Sequence, residues 1–242
     1  MTIAPHEIEW TAEKSKRLWD YYGSHPRYAA AFFGHNAGHL VAKALFSEIN
    51  LANEARLLDF SSGTGDVIAA CLGHMRATQE AYATDFSDTY VRKVAERFKH
   101  EPRFKGAVLT QSLPGPFQDG FFDVVIATEV IEHLLDHELE AMLAECRRVL
   151  KPGGQVFFTT PNNEDYDAAK VICPDCGCVF HRWQHVRTWS AATLRARMEQ
   201  AGFETRLVKP IAWLNWRGKL LSWLLERRIA HNGLLYIGRK AV

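Results

Sequence analysis

Four side chains in this sequence have the types and spacing for proton transfer near neutral pH. Three lie in Glu129-Val-Ile-Glu132-His133, and the fourth, His185, closes His181-Arg-Trp-Gln-His185. If the first run is helical, positions i, i+3 and i+4 share a face, and two carboxylates converge with an imidazole. An imidazole titrates at about 6.5, which suits a general base, so His133 and His185 are the candidate bases, with Glu129 beside them. A second chemistry is written in Cys173-Pro-Asp-Cys176-Gly-Cys178-Val-Phe-His181. A C-P-x-C-G turn lets two thiolates hold one metal ion at about 2.3 Å. Cys173, Cys176, His181 and one of Cys178 or His185 are expected to complete a zinc tetrahedron. The other reading is reduced thiols in a loop covering the substrate. Zinc and proton transfer compete for His185.

A third element is a turn built to approach a ligand. Asp59-Phe-Ser61-Ser-Gly63-Thr-Gly65-Asp66 ends an apolar run. Gly63 and Gly65 let the backbone turn sharply. Asp85 follows about 20 positions later, where a carboxylate meets ribose hydroxyls in nucleotide-type folds. The dinucleotide pattern G-x-G-x-x-G is not met, because Asp66, Val67 and Ile68 follow Gly65. An oxidoreductase reading is therefore disfavoured.

The elements that must position these groups alternate. Ala55–Phe60, Glu80–Asp85, Ala107–Leu109, Phe122–Thr128, Gln155–Thr160, Phe203–Val208 and Leu234–Ile237 read as strands. Helical periodicity falls at 40–49 and at 68–75. It recurs at Ser87–Phe98, with Ser87 as N-cap, and at Asp136–Leu150, which Lys151-Pro-Gly-Gly154 stops. A last helix covers Ser190–Ala201 and closes at Gly202. Such alternation predicts an α/β doubly wound, mostly parallel sheet with helices on both faces. Residues 1–36 form an aromatic N-terminal cap, and 37–242 form the main domain. Two segments break the alternation: a Cys/His insert at 161–189 and a Trp-, Leu- and Arg-rich helical excursion at 211–232.

Composition narrows the classes. Across 242 residues, 29 Lys and Arg face 28 Asp and Glu, for a net charge of +1. No positive field exists to draw in a polyanion, which disfavours nucleic acid as a general partner. With 47% apolar and 24% charged residues, the chain is neither disordered nor collagen-like. Five cysteines, three of them crowded at 173–178, do not form a secreted disulfide framework. No basic start with an apolar run marks a signal peptide, and no run is long enough to span a membrane. A cytoplasmic location is the expectation. In 206–240, Trp213, Trp216 and Trp223 stand among Leu and many Arg and Lys. That composition fits a packed helix, a homodimer face or lid, or peripheral membrane contact.

Residues 37–208 resemble the class I S-adenosylmethionine-dependent methyltransferases. The turn from Asp59 to Gly65 is similar to their D-x-G-x-G-x-G motif, with Ser61 at the first glycine. Four further stretches follow in that family's order: Ala83-Thr-Asp85-Phe-Ser87, Leu113-Pro114 with Phe117–Asp123, Phe122–Leu134 and Leu150–Gly154. The resemblance implies a Rossmann-like seven-stranded sheet and S-adenosylmethionine as cofactor. It implies that Asp59, Ser61, Gly63 and Gly65 cradle the amino-acid moiety and that Asp85 accepts the ribose hydroxyls. Phe86 would pack on adenine, Gln111 and Ser112 would contact its edge, and Glu129 would stand between cofactor and acceptor. The Glu129–His133 run resembles two groups of O-methyltransferases, one acting on phenolic quinone precursors. The other methylates the terminal 2′-hydroxyl of small RNAs around a divalent metal, onto which Glu129, Glu132, His133 and His185 map. The expected activity is O-methylation of a small-molecule or glycan hydroxyl. The alternatives are metal-dependent RNA methylation and a non-catalytic scaffold binding cofactor or zinc.

Overall fold

The structure is a computed structural model that describes residues 4–214 and 232–241. In chain order, a short strand β1 (His6–Glu7) precedes helices α1 (Ala12–Ser24), α2 (Pro26–Ala29) and α3 (Phe33–Glu48). Then come β2 (Arg56–Phe60), α4 (Asp66–Leu72), β3 (Glu80–Asp85), α5 (Asp88–Arg97), β4 (Phe104–Leu109), β5 (Phe122–Thr128) and α6 (Asp136–Val149). The last third holds β6 (Leu150–Pro161), β7 (Lys170–Ile172), β8 (Cys178–His181), α7 (Ala191–Gln200), β9 (Phe203–Ile211) and β10 (Gly233–Lys240).

The main sheet has seven strands in the order β4-β3-β2-β5-β6-β10-β9, and β10 runs antiparallel to both its neighbours. The predicted doubly wound, mostly parallel sheet is the one observed. Successive strand residues point to opposite faces, so each central strand serves two cores. Leu57, Val124, Ile126, Phe157, Leu235 and Ile237 pack with α3 and α4. Their neighbours Leu58, Val125, Ala127, Phe158, Leu234 and Tyr236 pack with α6 and α7. A strand buried on both faces reads as a continuous apolar run, as Phe122–Thr128 does.

Four local expectations change. The 1–36 segment contains α1 and α2, and α3 runs through position 36, so the cap joins the main domain within a helix. The Lys151–Gly154 stretch lies inside β6, where Gly153 takes φ 75°. Ser87 holds the N-cap position, but its hydroxyl donates to Asp20 Oδ1 at 2.8 Å. The 161–189 insert carries β7 and β8, which join β1 in a small separate sheet of order β1-β8-β7. The excursion expected over 211–232 lies, except at its two ends, outside the described residues.

Strand order reverses between β2 and β5, so their carboxyl ends open the crevice where ligands bind in such sheets. There the chain leaves β2 through Ser61 at φ 60°, Gly63 at φ 53° and Gly65 at φ 75°. A Cβ on Gly65 would meet Val94 Cγ2 at 3.0 Å, while one on Gly63 would meet nothing within 4 Å. Both positions carry the left-handed backbone cost of about 1–2 kcal/mol for a side chain. Gly65→Ala is therefore expected to lower the urea midpoint more than Gly63→Ala, at an unchanged m-value. Equal losses would refute this packing.

Candidate active site

The crevice widens into a cavity of about 1100 Å³. Ser61, Gly63, Asp85, Phe86, Gln111, Ser112 and Glu129 line it, as do His133 and His185. Asp59 lies buried at the end of β2, and Gly65 opens α4 as its N-cap residue. The structure thus gathers the expected cofactor and base residues around one crevice, while Cys173, Cys176, Cys178 and His181 do not line it. The cap supplies another wall through Trp19, Phe32 and Phe33.

Asp85 ends β3 with its carboxylate turned back on the glycine turn. Oδ2 accepts from the Gly63 amide at 2.8 Å, and Oδ1 accepts from the Ser87 amide at 2.9 Å. Burial pushes its pKa up to about 6, against the downward pull of those backbone donors. Asp59 is buried, and neither carboxyl oxygen has a hydrogen-bond partner. Burial, with Asp85 nearby, holds its pKa near 8. A buried carboxyl left without donors is costly, and a ligand bringing hydroxyl or ammonium donors relieves that cost. The donor set and the volume both fit an aminoacyl nucleoside such as S-adenosylmethionine.

The expected helical convergence of Glu129, Glu132 and His133 is replaced by a turn. Glu129 takes φ 53°, and the His133 amide donates to the Val130 carbonyl at 3.0 Å. Glu129 Oε1 accepts from the Thr159 hydroxyl at 2.8 Å, and Glu132 Oε2 accepts from Thr160 at 2.9 Å. Burial raises both carboxyls, Glu129 to about 7 and Glu132 well above the usual range. Burial also depresses His133 to about 3. Both shifts disfavour charge across the 3.7 Å contact between Glu132 Oε1 and His133 Nε2.

His185 reaches this cluster from the loop after β8. Its ring centroid lies 4.8 Å from that of His133 and 4.2 Å from that of His181, stacked on the latter. Its Nδ1 makes a short hydrogen bond to Glu164 Oε2. Burial opposes ionisation of Glu164, but its contacts with His181 and His185 carry its pKa down to about 2. A ring that donates through Nδ1 to this carboxylate leaves Nε2 as its free nitrogen. Gln184, at φ 61°, donates to the His133 carbonyl at 2.8 Å and accepts from the Trp19 indole at 2.7 Å. Ser61, Glu129 and Gln184 all line the cavity in a left-handed backbone conformation, and such strain concentrates at functional sites.

His181 departs from the expected metal set. Cys178 and His181 stand three residues apart on β8 and so face opposite sides. His181 is fully buried, and its Nδ1 accepts from the Trp183 and His185 amides at 3.3 and 3.2 Å. Among the described residues it groups with Glu164 and His185, while a second group holds Glu132, His133 and His185. Sequence reasoning missed Glu164, Gln184 and Trp19. Glu164 carried one signal: it follows Pro161 just beyond the carboxyl end of β6, the edge where ligands sit. No helix among the described residues is long and apolar enough to cross a membrane.

Comparison with known proteins agrees with this layout. Residues 29–208 match a family described as a methyltransferase domain. The ubiquinone/menaquinone biosynthesis C-methyltransferase of Paraburkholderia xenovorans is 28% identical over 174 residues, covering 65% of this chain and 71% of that one. In fold, a chain of the complex between the Haloferax volcanii Trm112 methyltransferase activator and the putative methyltransferase superposes with a TM-score of 0.70. It shares 18% identity and covers 93% of this chain and 98% of its own. The 1,6-didemethyltoxoflavin-N1-methyltransferase of Burkholderia thailandensis, solved with S-adenosylhomocysteine, gives a TM-score of 0.66 at 16% identity over 99% of this chain and 95% of that one. The [4+2]-cyclase SpnF shares the fold at a TM-score of 0.70 and 16% identity, covering 100% of this chain and 98% of that one, so the fold alone does not fix the reaction. The matched family spans most of the chain, and the chain belongs to the class I S-adenosylmethionine-dependent methyltransferases.

Proposed function

We propose that the protein methylates a hydroxyl group of a small molecule, and that His185 takes the hydroxyl proton. The observation that carries this reading is that His185, hydrogen-bonded through Nδ1 to Glu164, lines the same cavity as Asp85 and the glycine turn. Bound S-adenosylmethionine supplies a methyl group on a cationic sulfur, already reactive toward an aligned nucleophile. The chain has two tasks: to align the acceptor while excluding water, and to remove its proton. Asp59, Ser61, Gly63, Gly65 and Asp85 hold the aminoacyl ribose, and Phe86, Gln111 and Ser112 receive the base. Glu129 separates cofactor from acceptor. His185 Nε2 accepts the proton, and the ionised Glu164 carboxylate stabilises the resulting imidazolium. His133 stays neutral beside it and limits repulsion. Trp19, Phe32 and Phe33 supply apolar walls for the acceptor.

The curated relatives are named C-methyltransferases of quinone biosynthesis. Ionising a phenol activates its ring carbons as well as its oxygen, so one proton transfer serves either outcome. The accepting atom is read from the product. With a phenolic acceptor, an O-methyl ether is expected, and a ring-methylated product would overturn the oxygen assignment.

A second reading has a specific observation behind it. Ligand atoms of Glu132, His133 and His185 lie within 4.8 Å of one another. Two imidazoles and a carboxylate suit a divalent ion that lowers the pKa of an acceptor hydroxyl, including the terminal 2′-hydroxyl of RNA. Glu129, tied to Thr159, stands outside that group. Chelation separates the two readings: full activity in excess chelator supports the base and rejects the metal.

Two further outcomes are expected. His185→Ala lowers turnover by roughly 10²–10⁴-fold and leaves S-adenosylhomocysteine affinity in calorimetry unchanged. Glu164→Gln gives a smaller loss, and an unchanged rate in His185→Ala rejects the base. Asp85 binds hydroxyl donors best when ionised, and its pKa is raised to about 6. S-adenosylhomocysteine binding therefore strengthens as pH rises through about 6 and weakens below it. Asp85→Asn flattens that dependence and costs at least about tenfold in affinity, or about 1.4 kcal/mol.

A further inference from the structure

The small sheet built from the cap and the insert gathers sulfur and imidazole. β8 lies between β1 and β7, parallel to the first and antiparallel to the second. His6 is the register partner of Cys178. The β7–β8 register, continued by one pair, sets Cys173 opposite Cys178, and the Cys173 amide donates to the Cys178 carbonyl at 2.8 Å. Residues directly opposite on a ladder share a face with Cβ atoms about 5 Å apart. His6, Cys178 and Cys173 therefore form a row across one face of this sheet.

Cys176 completes the row from the turn. The Gly177 amide donates to the Cys173 carbonyl at 2.9 Å, and the His6 amide donates to the Gly177 carbonyl at 3.1 Å. Gly177, at φ 74°, turns the backbone there. All three thiols are free, and none is fully buried. The exposed His6 can turn its ring toward them.

We propose that Cys173, Cys176, Cys178 and His6 form a tetrahedral structural zinc site that fastens the N-terminal strand to the β7–β8 hairpin. Three thiolates and one imidazole match a closed zinc site. This replaces His181, the fourth ligand expected from spacing, which stands on the opposite face of β8. The thiols are not among the groups whose ligand atoms already lie within 4.8 Å of one another. Coordination closes that gap by side-chain rotation on a backbone already in place. The consequence reaches the active site. Beyond β1, Trp10 packs edge-on to Phe180 at 6.1 Å, and α1 follows. From α1, Trp19 bonds Gln184 and meets His133 at 4.9 Å. Zinc at the hairpin anchors the segment that walls the acceptor cavity.

Cobalt(II) titration of the full-length, reduced protein tests the site. Wild type is expected to bind about one ion per chain with the intense visible bands of tetrahedral sulfur coordination, and zinc displaces it. His6→Ala shifts those bands and weakens binding by at least about tenfold, and Cys176→Ser abolishes them. Hydrogen exchange over residues 6–24 speeds up when the metal is removed. Calorimetry with S-adenosylhomocysteine on the same samples reports the cofactor site separately. Wild type without sulfur–cobalt bands overturns the proposal. Bands and affinity unchanged in His6→Ala overturn the assignment of His6.

Discussion

Asp59, Asp85, Glu129 and Glu132 gather near the carboxyl ends of β2, β3 and β5, beside the cavity. Burial is the leading cause of the raised pKa at every one of them. A doubly wound sheet makes this arrangement unavoidable. Its strands are apolar on both faces, so polar groups serving a ligand cluster where the strands stop. Each such group then requires a partner. Asp85 finds backbone amides, Glu129 and Glu132 find threonine hydroxyls on β6, and Asp59 finds none. Asp59 thus carries a desolvation cost that no hydrogen bond offsets.

The same constraint separates the two halves of the cavity. On the glycine-turn side, donors and acceptors come from strand ends and backbone, which favours a ligand held by many fixed contacts. On the cap side, the walls are aromatic, and the titratable groups are paired with one another. Two imidazoles pull the Glu164 carboxyl down, while burial, reinforced by the nearby Glu129 and Glu164 carboxyls, pushes Glu132 up. Carboxyls in one cluster thereby acquire opposite states, the condition for dividing acid and base roles.

Much of the fold was legible because it rests on local periodicity. Most strand and helix positions from Ala55 to Thr160, and the helix Ser190–Ala201, followed from apolar alternation and from glycine turns, whereas β7 and β8 did not. The ligand crevice followed from Gly63, Gly65 and Asp85. Tertiary contact obscured the rest. The Glu129–His133 run has helical spacing, yet its backbone turns because Glu129 and Glu132 reach back to Thr159 and Thr160. Spacing alone placed His181 with the cysteines, but the strand there sends it to the opposite face. Glu164 lies 21 residues from His185 in the chain, and nothing local announced their pairing.

The pairing of β1 with β8 joins the first strand of the chain to one more than 170 positions later. During synthesis, the aromatic opening segment emerges long before its partner exists. The sheet around β2 and β3 can assemble while that segment still waits. The wall over the acceptor pocket therefore settles only once β8 has been made, well after the glycine turn and β3 beneath it.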